Sequence, residues 1–376
     1  MKRLLVVSNG YGEDLEVAQV IRALPSAAVA VSAYPLVGLG RAYPPTVPLL
    51  DPRREFPSGG FGMRAGWAAL GADIRSGWLR FWAAQRRTLR AQRGQVDLVV
   101  AAGDVYCLMM AARAGAPTVY VALPKSEYIG PHSPVEMWMI RRTASQVFTR
   151  DEVTAAALRR RGIPAQYVGF TLMDTLAPSG ETFAIPAECQ VLTLLPGSKP
   201  AAFQNLLLLL RAASAAAGGL ASVAVLVAWT PGLSRDRLRE TVEAGGGRWL
   251  DANRFQFGGI EATVTTDHFA DALVRATVVL GMAGAAHEQA AGLGKPVVAF
   301  PGTGPQFTAR FLVEQQRLLG DALAVAAGPD EAGEAAAVLL ADPAERNRRG
   351  EAGRERQGGP GGAAAIARYL LERLSG

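Results

Sequence analysis

Short apolar runs alternate with segments of helical period along the whole chain. The runs are Leu4 to Val7, Val29 to Tyr34, Leu98 to Ala102, Thr118 to Val121, Gln146 to Phe148, Val191 to Leu195, Val223 to Ala228, Val278 to Leu280 and Val297 to Phe300. Continuous apolar runs of this length predict strands covered on both faces, and the segments between them predict crossover helices, so the chain reads as α/β with parallel sheets. The pattern is interrupted between Phe170 and Glu188, at Pro178-Ser179-Gly180 and Pro186. Two Rossmann-like halves follow from that seam, expected over residues 1–172 and 173–361. Asp342 to Gly362 reads as a polar, glycine-rich stretch, and residues 362–376 carry a last amphipathic helix, Ala363 to Leu374, whose apolar face suits packing across either half, the first included. Leu206 to Trp229 is apolar enough to suggest a membrane span, but Arg211 and Gly218-Gly219 divide it into a helix and a strand.

The most informative segment runs from Gly281 to Gln306. A buried strand ending at Leu280 is followed by Gly281, Ala283, Gly284, Ala285 and Ala286, which open a helix with its backbone N–H groups bare. Such an end attracts diphosphate, and only Gly or Ala lets phosphate oxygens reach the amides. Glu288 falls in the first turns, where a carboxylate accepts hydrogen bonds from a ribose diol. After Gly294-Lys295-Pro296 a second strand leads to the loop Pro301 to Gln306, at the carboxyl edge where open α/β sheets bind ligands. An ordinary βαβ unit with small packing residues reads the same way.

The first half has its own glycine turn after the first strand, Asn9-Gly10-Tyr11-Gly12-Glu13-Asp14, without the full dinucleotide fingerprint and without a P-loop. Glu13 and Asp14 read equally as helix-capping residues or as catalytic or acceptor-binding groups. Asp104, just beyond Leu98 to Ala102, reads either as a residue facing a cleft between the halves or as a turn or cap.

Charge changes the picture little. The chain of 376 residues has a net charge of +6, yet Lys2, Lys125, Lys199 and Lys295 are its lysines and the other basic residues are arginine. That skew reflects coding bias as readily as an anionic partner. Cys107 and Cys189 have no companions at metal or redox spacing, and the start Met1 to Gly10 has too few apolar residues for a signal peptide, so a cytoplasmic protein is expected. Between Pro52 and Arg93, a glycine-rich loop carries Phe56, Phe61, Met63 and Trp67, followed by a helical pattern from Ile74 to Arg93 with Trp78, Phe81, Trp82 and Leu89 on one face. The helix reads as a core helix. The loop is the candidate for touching an acceptor or the inner face of the cytoplasmic membrane, with Phe61 and Trp67 as its anchors. No base-stacking motif accompanies the arginines, so nucleic acid is not an expected partner.

Three runs, Val168-Gly169-Phe170-Thr171-Leu172-Met173-Asp174, Leu194-Leu195-Pro196-Gly197-Ser198-Lys199 and Ala283-Gly284-Ala285-Ala286-His287-Glu288, occur in an order and spacing that resemble the lipid-A-disaccharide synthase family and the proteins related to it. The resemblance covers roughly residues 1–320. It implies the glycosyltransferase B type, two Rossmann-like domains facing a cleft, with a nucleotide sugar held by the second and an acceptor by the first. It further implies that amides of Gly197 and Ser198 meet phosphate while Lys199 neutralises the leaving diphosphate. Lys199 stands where the family has arginine, so the charge is kept and the bidentate fork is lost. The family's acidic glycine turn is altered as well: Asp14 matches its last aspartate, its glutamate falls on Gly10, and Asp104 corresponds to its aspartate after the fourth strand.

The resemblance implies an inverting, metal-independent transfer from a UDP-sugar to a lipid or glycan acceptor, with Asp104, or else Glu13 or Asp14, as base. Ala283, Gly284, Ala285, Glu288 and Gln306 would complete the donor site, and Gly10, Gly12, Phe61 and Trp67 the acceptor side, with no metal and no cofactor. Two competitors share the scaffold: a non-hydrolysing nucleotide-sugar 2-epimerase, and a nucleotide-sugar-binding protein without turnover.

Overall fold

The computed structural model describes residues 1–25, 28–55, 77–217, 222–304 and 307–375. Two α/β units form, one from Met1–Thr175 together with Pro360–Gly376, the other from Leu176–Gly359.

The first unit is built on β1 (Lys2–Ser8), β2 (Val29–Pro35), β3 (Leu98–Gly103), β4 (Thr118–Ala122), β5 (Ala144–Thr149) and β6 (Ala165–Gln166), in the order β2-β1-β3-β4-β5-β6 with every pair parallel. The twofold alternation of strand side chains divides its core. Leu4, Val6, Val100 and Val121 pack with Val17 and Val20 of the helix Tyr11–Ala23 and with Ile366 and Leu370 of the helix Gly362–Ser375. Leu5, Val7, Val99 and Ala101 pack on the other face with Leu89, Leu108 and Ile140. Each such leucine or valine contributes about 1.5–3 kcal/mol by leaving water.

The last helix is fastened to this unit by Asp174. Its carboxylate accepts from the Gly361 and Ala363 backbone N–H groups at 2.5 and 2.7 Å, and Tyr369 meets Phe148 edge to face at 5.2 Å. The contact is close enough that a Cβ at Gly362 would lie 2.5 Å from the Gly169 carbonyl oxygen.

The helix read from Ile74 to Arg93 spans Trp78–Ala91 among the described residues, and it buries Leu89 and Gln85. Trp82 is partly buried against the core, whereas Leu79 is 57% exposed. Ile74, Phe56, Phe61, Met63 and Trp67 lie outside the described residues.

The second unit orders its strands β14-β13-β12-β7-β8-β11-β10-β9, namely β7 (Gln190–Leu195), β8 (Val223–Ala228), β9 (Arg248–Trp249), β10 (Arg254–Phe257), β11 (Ile260–Thr265), β12 (Val278–Gly281), β13 (Val297–Ala299) and β14 (Leu323–Val325). Here the expectation of parallel strands needs correction, because β10 runs antiparallel to both β9 and β11. Gly258 and Gly259, both at positive φ, make the two-residue turn that such a hairpin requires.

The polar, glycine-rich stretch from Asp342 to Gly362 turns out to be mostly helical. Its helix, Pro343–Gln357, is started by Pro343 and capped by Asp342, whose Oδ1 accepts from Ala344 N and Glu345 N. Its glycines are contact points rather than breaks: a Cβ on Gly350 or Gly353 would lie 2.4 Å from the carbonyl oxygen of Gly294 or Ala291. The helix thereby packs on Ala285–Gly292, the helix that opens the candidate site. Among the described residues no helix is long and apolar enough to cross a membrane.

Candidate functional site

In the second unit the chain passes from β7 through β8 to β11 on one side, then returns to lay β12 on the other side of β7. The carboxyl ends of β7 and β12 are therefore a topological switch point, where loops diverge and leave room for a ligand. The two loops touch at their base, with Met282 N donating to Leu195 O at 2.8 Å. Gly197 has φ +98, and a Cβ there would sit 3.1 Å from the Met282 carbonyl oxygen, so glycine is what lets the loops lie together. Ser198 and Lys199 are exposed beside this contact.

Gly284 is the N-cap of Ala285–Gly292 and offers no side-chain cap, and Glu288 is half-buried on that helix. The turn is braced from behind by His287 and Gln315, neither of which the sequence marks as a site residue. His287 is fully buried and its pKa is pushed down to about 4 by burial, so the ring is neutral at ordinary pH. Ala283 N donates to His287 Nε2 at 3.4 Å, which puts the ring proton on Nδ1, 3.0 Å from Gln315 Oε1. Gln315 Nε2 in turn donates to the carbonyl oxygens of Ala283 and Gly284 at 3.3 and 3.1 Å. A Cβ at Gly281 would lie 2.5 Å from His287 Nε2, so this glycine makes room for the ring.

A second brace is Asn205. Its Nδ2 donates to Pro196 O, and its Oδ1 accepts from Thr303 N and Thr303 Oγ1, both at 2.9 Å. One buried amide thus joins the loop after β7 to the loop after β13. Gln306 lies outside the described residues.

The first unit has the same topology at its β1 and β3 ends. Asn9 N donates to Ala102 O at 3.1 Å, and Gly103, at φ +147, leaves only 2.6 Å between a built Cβ and that of Asn9. Gly10 caps the helix Tyr11–Ala23, and Gly12 is exposed in its first turn. Asp104 is the N-cap of the helix Val105–Ala111, accepting from Cys107 N at 2.9 Å. The capping alternative for Asp104 is therefore realised, which leaves its second oxygen for other work.

Glu13 has its pKa raised by burial, opposed by its own backbone N–H and reinforced by Asp104. Burial pushes Asp14 up to about 7, against the bond from Ser8 and with the repulsion of Glu13. Glu13, Asp14 and Asp104 are therefore within electrostatic reach of one another along the chain Asp14, Glu13, Asp104. Among the described residues no group of three or more His, Cys, Asp or Glu side chains could hold a metal ion.

No family model and no curated protein matches the chain. Solved structures match it over its whole length. S. aureus MnaA in its UDP co-structure is 15% identical, with 100% of this chain and 98% of that one covered at a TM-score of 0.61. The UDP-GlcNAc 2-epimerase of Neisseria meningitidis, bound to UDP-GlcNAc, is 14% identical over 100% of both chains at 0.57. The calicheamicin glycosyltransferase CalG4 is 16% identical over 100% and 98% at 0.57. The fold is the glycosyltransferase B type. At these identities the likeness shows the fold, which epimerases and transferases share. The resemblance to the lipid-A-disaccharide synthase family rests on the sequence runs alone, and one of them, ending at Asp174, is engaged in holding the last helix.

Proposed function

We propose that the protein acts on a UDP-linked sugar, breaking the bond between its anomeric carbon and the diphosphate, and that the outcome is epimerisation at C2. The observation that carries the reading is that the loop bearing Gly197, Ser198 and Lys199 touches Met282, two residues before the helix start at Gly284, which has no side-chain cap and lies four residues before Glu288, at the β7–β12 switch point. Backbone amides and Lys199 suit a diphosphate, and Glu288 suits a ribose diol.

Inversion at C2 beside a diphosphate leaving group balances without a redox partner. A carboxylate takes the C2 proton, the C2–H pair forms a C1–C2 double bond, and the C1–O pair leaves with UDP. Addition of UDP back to C1 and of a proton to the other face of C2 restores a UDP-sugar, now inverted at C2. The step needs groups that take and return a proton near neutral pH. The raised values of Glu13 and Asp14 support this. UDP and UDP-GlcNAc in the full-length structural matches support the substrate class.

Transfer to a lipid or glycan acceptor is the second reading. The motif runs and the match to CalG4 favour it, with Asp104 or Glu13 deprotonating an acceptor hydroxyl. Phe61 and Trp67, its proposed acceptor-side and membrane contacts, lie outside the described residues.

Incubation with UDP-GlcNAc alone in D2O separates the readings. Epimerisation gives the C2 epimer with deuterium at C2. UDP release that needs an added acceptor, with no deuterium in recovered substrate, replaces it by transfer. UDP binding with neither reaction leaves a binding protein.

A further inference from the structure

Beneath the acidic glycine turn lies a chain of hydroxyl groups. Ser8, the last residue of β1, donates from Oγ to Asp14 Oδ1 at 2.5 Å, and the Tyr43 phenol donates to Ser8 Oγ at 2.5 Å. All three residues are buried. The direction of the chain follows from donor count: an ionised carboxylate only accepts, so Ser8 spends its single hydrogen on Asp14 and is left to accept from Tyr43.

Both hydroxyls are held in place by backbone. The Ser8 carbonyl accepts from Leu36 N at 2.9 Å. Tyr43 sits against Gly40, at φ +71, where a Cβ would come 2.8 Å from Pro35 Cγ and 3.3 Å from the Tyr43 ring. Among the described residues Asp14 Oδ2 has no hydrogen-bond partner. The titratable groups around Asp14 are Glu13 and Tyr11 on its own helix, Tyr43 from the segment after β2, and Cys107 beyond β3 with Asp104 acting on Glu13. Glu16, two residues on, is engaged by Thr171 Oγ1 at 2.5 Å.

We propose that Ser8 and Tyr43 are positioning residues for this acidic turn: their hydroxyl chain fixes one oxygen of Asp14 and leaves the other as the atom through which it exchanges a proton. The proposal deepens the acid–base reading above and rests on it, but its first readout needs no turnover.

Carboxyl-13C aspartate labelling of the full chain, with the Asp14 signal assigned by its loss in Asp14→Asn, gives the titration midpoint directly. In the wild type burial is expected to hold it up at about 7. Ser8→Ala removes a bond to the ionised form and raises the midpoint by roughly 0.5–1 pH unit, the worth of one such bond. Tyr43→Phe keeps the ring volume and raises it by less, because Ser8 is then free to turn its hydrogen away. The pH profile of turnover moves in the same direction, while UDP affinity is unchanged. A merely structural role would lower stability and leave both midpoints at the wild-type value, and that result overturns the proposal. If Ser8→Ala does not fold, Tyr43→Phe alone decides. Midpoints that move in a protein inert toward nucleotide sugars would uphold the anchoring and sink the catalytic reading instead.

Discussion

At the β1–β3 edge the loops gather Glu13, Asp14 and Asp104 over a buried serine. At the β7–β12 edge they gather Gly197, Ser198 and Lys199 beside Gly284, with Glu288 as the one acid on those loops and their helix start. The topology is the same, and in both units one loop residue donates across the switch point, Asn9 N to Ala102 O and Met282 N to Leu195 O. What differs is how the edge is stiffened. The first unit anchors an acid through hydroxyls, whereas the second anchors backbone through a neutral imidazole and two amides. Buried carboxyl groups suit proton exchange and bare N–H groups suit anions, so the two edges offer different chemistry on one topology.

The sharpest break of this comparison is to disarm the acidic edge alone. Glu13→Gln and Asp104→Asn each lower turnover by roughly 10²–10⁴-fold while isothermal titration with UDP stays at the wild-type value. Asparagine still caps the helix at position 104, so lost activity there is not lost fold. Unchanged turnover in both variants would leave Asp14 as the one carboxyl of this edge still able to carry the proton.

Next in size is the pH dependence of stability set by Asp14. Its carboxyl is raised to about 7 in the folded chain, against about 3.9 unfolded, so its contribution is fully present below pH 4 and is lost as pH rises through 7. The full loss is on the order of 4 kcal/mol, and Asp14→Asn, which keeps an oxygen for Ser8, removes it. Denaturant unfolding at pH 5 and pH 8 should show a steeper fall in the wild type than in the variant. Parallel falls would mean that Asp14 is not the titrating group.

At the other edge, Glu288→Ala weakens UDP by about 1–3 kcal/mol with stability little altered. Equal affinities would remove Glu288 from the site. The smallest expected effect is that of Lys199→Arg, which restores a fork for phosphate and tightens UDP by less than about 1 kcal/mol. Weaker binding would show that the loop is shaped around lysine.

The strands were legible because they are covered on both faces: each apolar run read from sequence coincides with a strand, from Leu4–Val7 in β1 to Val297–Phe300 at β13. The β9–β11 hairpin escaped because its strands alternate in burial and Arg248–Trp249 is only two residues long. Gly350 and Gly353 lie in a stretch read only as polar and glycine-rich, since sequence alone does not reveal that a neighbouring backbone presses on them. At the sites, loop residues with their own chemistry stood out, but their supports did not. His287 was visible as one of three histidines, yet its partner Gln315 is 28 residues away; Asn205 and Thr303 are 98 apart, and Tyr43 and Ser8 are 35 apart. Local patterns carry no record of such pairings.

Asp174 holding the N-terminal end of the last helix has a consequence for synthesis. The unit that contains the uncapped Gly284 helix is a single uninterrupted segment, complete once residue 359 has been made. The first unit, although begun earlier in the chain, lacks Ile366 and Leu370 from its core until the segment after Gly359 has emerged from the ribosome. The second unit thus has everything it needs to fold before the unit begun earlier in the chain, and a chain cut short before Ile366 would carry a finished second unit and an open-cored first.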